Sequence, residues 1–373
     1  MELQFKAVTA TKANKNEREV KDCTGKNIYI GIDVHKKEWK VSIRGEKKEY
    51  ICISMDPDPD TLHKYLSKNF PGGKYHSVYE AGFSGYWADR RLRELGIRNI
   101  VTNPGDIPQR GKEKRGKTDS VDAGKLSREL EGGNLEGVYV PTAEEEAIRS
   151  WVRHRNKLAK DEASAKTEIK MFLLSRGVRY DEEGKTAKNW SKAFIRKLAE
   201  KEMKTEADKE LLELLLEELE GKIEATEKVT KKIEEMINKK ESFKRNYENI
   251  KSVPGVGKVT AMTIMTELIV PDRFMSIDGL KSYSGLKPMV YSSGDRERVL
   301  GLDKAYNHHL QAAWNSMIWD KSLRKRYFDL LGRGMAKANA IIRIAVKILK
   351  LIMVMWKNQC RYNPSILEAA QAK

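Results

Sequence analysis

The sequence predicts an α/β domain at the front of the chain, followed by a helical remainder. Two observations carry this. Short β-rich runs alternate with helical patterns from residue 28 to about 140. Beyond Pro141 no proline occurs until Pro254, across a stretch rich in Glu, Lys, Leu and Ala. A third observation concerns partners: the 373 residues carry a net charge of +17. A field of that sign and size implies a polyanion, of which nucleic acid is the commonest.

Residues 1–27 are polar and aperiodic and read as a flexible N-terminal tail. IYIGI, WKVSI and KEYICI follow as three short strands with tight connections, an antiparallel meander. A helix is expected near 60–69, closed by Pro71-Gly72-Gly73. SVYE is the fourth strand, SGYWADRRLREL the second helix, RNIVT the fifth strand and DSVDAGKLSREL the third helix, with Thr118 or Asp119 as N-cap. The order β-β-β-α-β-α-β-α is that of the ribonuclease H-like fold, in which the first and fourth strands are neighbours.

From 141 to 250 the chain reads as a long helical hairpin or coiled-coil linker, with VRYDEEGKTAKNW between its arms. From 251 to 373 it reads as a small helical domain. IKSVPGVGKVTAMTIMTEL has the look of a helix-hairpin-helix, whose glycine-containing turn (Gly255, Gly257, Lys258) offers backbone N–H groups to a phosphate. IAVKILKLIMVMW near the end is interrupted by Lys347 and Lys350, is too short to span a bilayer, and reads as a buried amphipathic helix. The N-terminus lacks an apolar signal core, and Cys23, Cys52 and Cys360 show no metal-ligand spacing. A cytoplasmic location is the simplest expectation.

Four acidic residues are the chemical signal. Asp33 and Glu80 each sit just after a β-rich run, and Asp119 and Asp122 are spaced i, i+3 at the start of a helix, sharing one face. Carboxylates at strand ends are the oxygen ligands that two Mg²⁺ ions need for phosphodiester chemistry. His35 could line the same site or simply face solvent. The basic run beside Asp119, with Lys114, Arg115 and Lys117, would hold a phosphate backbone there. A second candidate is the YSSGDRER loop. Ser292 or Ser293 could attack a phosphodiester if nearby cations (Lys287, Arg296, Arg298) stabilise the charge that develops.

GIDVHKKEWKVSI, YEAG and KTDSVDA, together with PGVGKVTAMTIMTEL, FMSIDGLKSYSGLKPMVYSSG and DKAYNHHL, resemble the DEDD-type insertion-sequence transposases, the family that includes the Piv-type DNA invertases. The resemblance covers most of residues 28–357 in order. It implies a RuvC-like DEDD domain at 28–140, a coiled-coil linker at 141–250 and a serine transposase domain at 251–373. It places Asp33, Glu80, Asp119 and Asp122 as the metal set, and Ser293, directly before glycine, as the nucleophile. It further implies a bridge RNA that pairs with donor and target DNA, a dimer of dimers, and a prokaryotic, nucleoid-associated setting. The sequence departs from the family where a Gly-Asn pair and a following Arg are usual: Ala305-Tyr306-Asn307 is followed by His308-His309-Leu310-Gln311, so Asn307 alone is retained. Two other readings compete. One is a hydrolytic RuvC-like Holliday-junction nuclease. The other is a degenerate copy that binds RNA or DNA without cutting.

Overall fold

The computed structural model describes residues 23–108, 119–180, 190–274, 276–293, 296–302, 313, 315 and 318–364. The chain divides into two compact units, 1–140 and 141–373.

The first unit is built on a five-stranded mixed sheet. The strands are β1 (Asn27–Val34), β2 (Trp39–Gly45), β3 (Lys48–Met55), β4 (Lys74–Glu80) and β5 (Arg98–Thr102), in spatial order 3-2-1-4-5. β1–β2 and β2–β3 pair antiparallel; β1–β4 and β4–β5 pair parallel. Helices α1 (Pro59–Asn69), α2 (Trp87–Glu94) and α3 (Asp119–Glu131) complete it. This arrangement is consistent with the ribonuclease H-like architecture expected from the element order. β1 is central, so both of its faces are covered. Ile28, Ile30 and Ile32 meet Leu62 and Leu66 of α1 and Ala88 and Leu92 of α2 in one core. The opposite face carries α3. There Gly31 lets the helix backbone approach the strand closely: a Cβ on Gly31 would lie 2.2 Å from the Ala123 carbonyl oxygen and 2.4 Å from the Ser127 nitrogen.

Residues 1–22 of the expected tail lie outside the described residues, but its end is packed rather than loose. The Cys23 and Gly25 N–H groups donate to the Pro71 and Gly72 carbonyls at 3.1 and 3.0 Å, and Cys23 is buried in the β1 core. The apolar Cys23 side chain and the Pro71 and Gly72 carbonyls as acceptors make that fit.

In the second unit, α4 (Ala143–Ser175) and α6 (Glu206–Lys239) are long antiparallel partners. Glu144 pairs with Lys240 at one end, and Arg176 with Asp208 at 3.1 Å at the other. A capping box starts α4: Thr142 and Glu145 each accept from the other's backbone N–H. The tip is closed by α5 (Lys192–Ala199), a helix the sequence reading did not single out. Phe194, Ile195 and Leu198 of α5 pack there on Ile169, Leu173, Leu212 and Leu216. At the other end Ile148, Val152, Ile233 and Ile237 join the core of α7 (Glu241–Lys251), α8 (Lys258–Leu268), α9 (Ile277–Tyr283), α10 (Lys321–Gly332) and α11 (Lys337–Lys357). Among the described residues no helix is long and apolar enough to cross a membrane.

Candidate active site

Each carboxylate position is set by backbone pairing. In parallel register Ile32 neighbours Tyr79, so Asp33 and Glu80 follow at the same level at the C-terminal ends of β1 and β4. Alternation along each strand assigns their face. Asp33 is two residues beyond Gly31, on the α3 side. Tyr79 lies in the core under α1 and α2, whereas Val78 packs on Leu126 of α3, so Glu80, two beyond Val78, also lies on the α3 side.

The third helix brings the remaining pair to that end. Ser127 Oγ lies 2.8 Å from Ser42 Oγ, and Ser42 is opposite Gly31. Arg44 Nε donates to Glu131 at 2.7 Å, and Arg44 is opposite Tyr29. Successive turns of α3 therefore descend β1 toward its start. The first turn, holding Asp119 and Asp122, is at the Asp33 end. Asp122 is half-buried, and Asp119 is the first residue of α3. All four expected positions thus belong to one end of one face of the sheet.

Asp33 is held by His35, whose Nε2 is 3.1 Å from Asp33 Oδ2; the histidine is exposed, which joins the two readings of that residue. Glu80 is exposed. Among the described residues no three His, Cys, Asp or Glu side chains close into a ligand cage. The donor set is nevertheless all carboxylate oxygen apart from His35, open at the strand ends, and suits a hard divalent cation.

A polar network steadies the segment after Glu80. The Tyr79 hydroxyl donates to the Gly85 carbonyl at 3.0 Å and accepts from the Asp89 N–H at 3.3 Å. Asp89, 1% exposed, accepts from Asn99 Nδ2 at 2.7 Å and from Arg93 Nε at 2.9 Å. Burial pushes the Tyr79 phenol well above its ordinary range, so it stays protonated as a donor. The same segment exposes Phe83 and, at the start of α2, Trp87, whose ring lies 6.2 Å from that of Trp39. The sequence reading missed these aromatics; the cluster FSGYW right after Glu80 was the available signal.

The serine segment is a β-hairpin, which corrects the loop expected there. β6 (Pro288–Ser293) pairs antiparallel with β7 (Arg296–Leu302), Ser293 opposite Arg296 and Ser292 opposite Glu297. The available signal was the Gly294-Asp295 dipeptide, a two-residue hairpin pattern. Lys287 is exposed just before β6. Downstream of α7, residues 252–257 turn the chain into α8, with Gly255 at φ +84° and Gly257 as the N-cap. Lys258 Nζ lies 3.1 Å from Glu234 in a solvent-exposed pair. Lys114, Arg115, Lys117 and Asn307 lie outside the described residues.

A family model for the DEDD transposases of IS110 matches residues 30–176, and one described as the transposase IS116/IS110/IS902 family matches residues 247–329. The chain is 30% identical over 300 residues to y4qE of Sinorhizobium fredii, which bears a transposase name, covering 79% of this chain and 72% of that protein. It is 30% identical over 159 residues to the transposase for insertion sequence element IS1533 of Leptospira borgpetersenii, covering 41% and 45%. With the transposase for IS1111A of Coxiella burnetii it shares 25% identity, over 62% of this chain and 61% of that protein.

Proposed function

This chain belongs to the DEDD transposase family of IS110-type insertion sequences, and we propose that it recombines DNA through a serine nucleophile beside a divalent-metal site. The observation that carries the metal half is the placement of Asp33, Glu80 and the first turn of α3 at one end of one sheet face. Asp33, Glu80, Asp119 and Asp122 would hold the metal, two Mg²⁺ ions in our reading. Bound there, the ions supply Lewis-acid polarisation of the scissile phosphate. His35 steadies the Asp33 carboxylate through their hydrogen bond.

For the nucleophile, the hairpin register favours Ser293 over Ser292. Residues directly opposite in an antiparallel pair belong to the same face. Ser293 therefore shares a face with Arg296 and, two residues on, Arg298, while Ser292 shares one with Glu297. Two cations suit a developing phosphorane charge; a carboxylate opposes it. In the step itself a Ser293 Oγ–P bond forms and the P–O bond to the departing deoxyribose oxygen breaks. The serine proton passes to that oxygen. The phosphoserine link conserves the bond energy for rejoining, so strand exchange needs no external energy source.

The strong positive charge supports nucleic-acid partners, and the family resemblance supports a bridge RNA from the element, a long coiled-coil linker and a dimer of dimers. Gly255, Gly257 and Lys258 of the helix-hairpin-helix-like turn, Lys287, Arg296, Arg298, Asn307 and the basic segment with Lys114, Arg115 and Lys117 are proposed backbone contacts. The test is a covalent adduct assay on DNA carrying the element's ends, with the co-purified RNA. Wild type should give a serine-linked protein–DNA adduct, and Ser293→Ala should abolish it while nucleic-acid binding persists. Full strand transfer by Ser293→Ala would overturn the assignment. Cleavage without any adduct would favour the hydrolytic junction nuclease, for which the carboxylate face alone suffices.

A further inference from the structure

The exposed apolar side chains of the first unit are gathered in one place. Among its described residues the exposed large hydrophobics are Phe83, Trp87 and Val121. Each belongs to the end of the sheet that carries the carboxylates. Phe83 comes three residues after Glu80. Val121 stands between Asp119 and Asp122 in the first turn of α3. Trp87 opens α2, and its ring lies 6.2 Å from that of Trp39, which is opposite Val34 at the end of β1. Single exposed apolar residues are ordinary on a surface, but a set confined to one end of one domain is not.

The two aromatics are also held in place. The Ala81 N–H donates to the Thr102 carbonyl at 2.8 Å, which prolongs the sheet past Glu80. Gly82, Phe83, Ser84 and Gly85 then form a tight turn, closed by the Gly85 N–H on the Gly82 carbonyl at 3.2 Å, with Gly85 at φ +60°. Phe83 is the second residue of that turn and is 76% exposed, more than any other large apolar side chain among the described residues. The buried Tyr79 holds the Gly85 carbonyl through its hydroxyl. Trp87 is 49% exposed, with part of its indole beside the buried Trp39 and the rest facing solvent. Aromatics fixed in this way lose little conformational freedom when a ligand covers them.

The surroundings select the occupant. Lys36 and Lys37 are exposed in the turn that joins Asp33 to Trp39. Aromatic surfaces flanked by cations suit a strand of nucleic acid, whose backbone is anionic and whose bases offer π faces. A paired duplex keeps its bases stacked on one another and offers only backbone and groove edges. An unpaired nucleotide can turn its base onto the protein. An apolar protein partner would instead have to desolvate the charged side chains of Lys36, Lys37 and Glu80, and charged residues are depleted from the cores of protein interfaces.

We propose that Phe83 and Trp87 form a stacking surface for unpaired bases of the DNA strand whose phosphate is bound at the carboxylate end, with Lys36 and Lys37 as backbone contacts. The surface rests on the reading of that end as the site of strand cleavage and adds a requirement to it: the strand is unpaired where it is cut. Stacking of this kind tolerates any sequence, since every base has a π face.

The experiment measures the affinity of the full-length protein for a short single-stranded DNA and for the same sequence as a duplex, across a salt series. The sequence is unrelated to the element's ends, so that no cleavage intrudes. Phe83→Ala and Trp87→Ala should each bind the single strand about 5- to 100-fold more weakly, the effect of losing one stacked base. Their salt slopes should match the wild type, because no phosphate contact is removed, and their duplex affinity should be unchanged. Phe83→Tyr keeps the ring and should bind as the wild type does. Phe328→Ala, at a residue 60% exposed on α10, is the control and should change nothing. Unchanged single-strand affinity in Phe83→Ala, or an equal loss on single strand and duplex, overturns the proposal. So does a second copy covering the patch: sedimentation would then show a wild-type oligomer that Phe83→Ala dissociates while single-strand affinity holds. Phe83 is exposed enough for its variants to keep the fold, so the test stands even if Trp87→Ala loosens α2 from Trp39. The two readings fail separately. Cleavage that survives Asp33→Asn would strike the carboxylate site, whereas affinity that survives Phe83→Ala strikes the stacking surface alone.

Discussion

Gly31→Ala should separate stability from activity, because one added methyl acts at the hinge of the carboxylate site. The new Cβ would sit 2.2 Å from Ala123 O, 2.4 Å from Ser127 N and 2.9 Å from Leu126 Cβ. Ordinary contact begins near 3.4 Å, so α3 must retreat from β1 by about 1 Å. Two of the three obstacles are helix backbone, and no rotamer change relieves them. Overpacking of this kind costs about 1–3 kcal/mol. For a unit of this size that is about 3–10 °C in melting temperature. The chemical consequence is larger. The first turn of α3 carries Asp119 and Asp122 at the Asp33 end of β1, and an ångström of misplacement in a site costs about 100-fold in rate. Strand cleavage on the element-end DNA should therefore fall about 100-fold while nucleic-acid affinity is retained. Leu126→Ala added to Gly31→Ala should not restore it, since it clears only the third contact. Gly221→Ala in α6, where a Cβ meets nothing within 4 Å, is the control and should stabilise by about 0.5–1 kcal/mol. Wild-type cleavage and melting in Gly31→Ala would refute the close docking of α3 on β1 and the dependence of the site upon it.

Two further outcomes follow from strained or buried groups. Glu46 and Lys47 turn the β2–β3 hairpin at φ +51° and +62°, so Glu46→Asn/Lys47→Gly should raise stability by about 1–2 kcal/mol in chemical denaturation, whereas proline at either position should lower it. Lys347→Met should raise the melting temperature at neutral pH, because it removes a buried ammonium whose folded-state pKa lies below the ordinary 10.5. With a lowered folded pKa the unfolded chain binds the extra proton. Wild-type stability therefore gains as pH rises through the folded value toward 10.5, and the advantage of methionine should shrink over that window in paired melts. An advantage that grows with pH would reverse the sign of the argument.

The sheet was legible because its strands are short, β-branched and set off by turn residues. IYIGI, WKVSI and KEYICI could only pair as a meander, and the strand–helix alternation that follows demands a parallel neighbour for β1. The acidic positions were legible for the same reason, as strand ends are visible in sequence. The face on which each carboxylate lies was not. It follows from which residues of β1 and β4 meet α3, and Gly31 inside a strand was the one local hint of that close approach. The serine hairpin was hidden by charge: Arg296, Glu297 and Arg298 interrupt the apolar alternation that marks a strand, though backbone pairing across β6 and β7 does not require it. Helix α5 is only eight residues long and is preceded by a polar segment, so its apolar side emerges only against Leu212 and Leu216.

Lys347 and Lys350 show how one pattern can hold two meanings. In sequence they interrupt an apolar run, and that interruption argues correctly against a membrane span. In the folded unit Lys350 is exposed and Lys347 is buried, and both line a cleft together with Lys281 and Arg326. An amphipathic helix that needed only solubility would place its lysines at the solvent side and bury a Leu or Met at 347. Keeping an ammonium there costs folding free energy through desolvation. The stability gain expected for Lys347→Met is the measure of that cost.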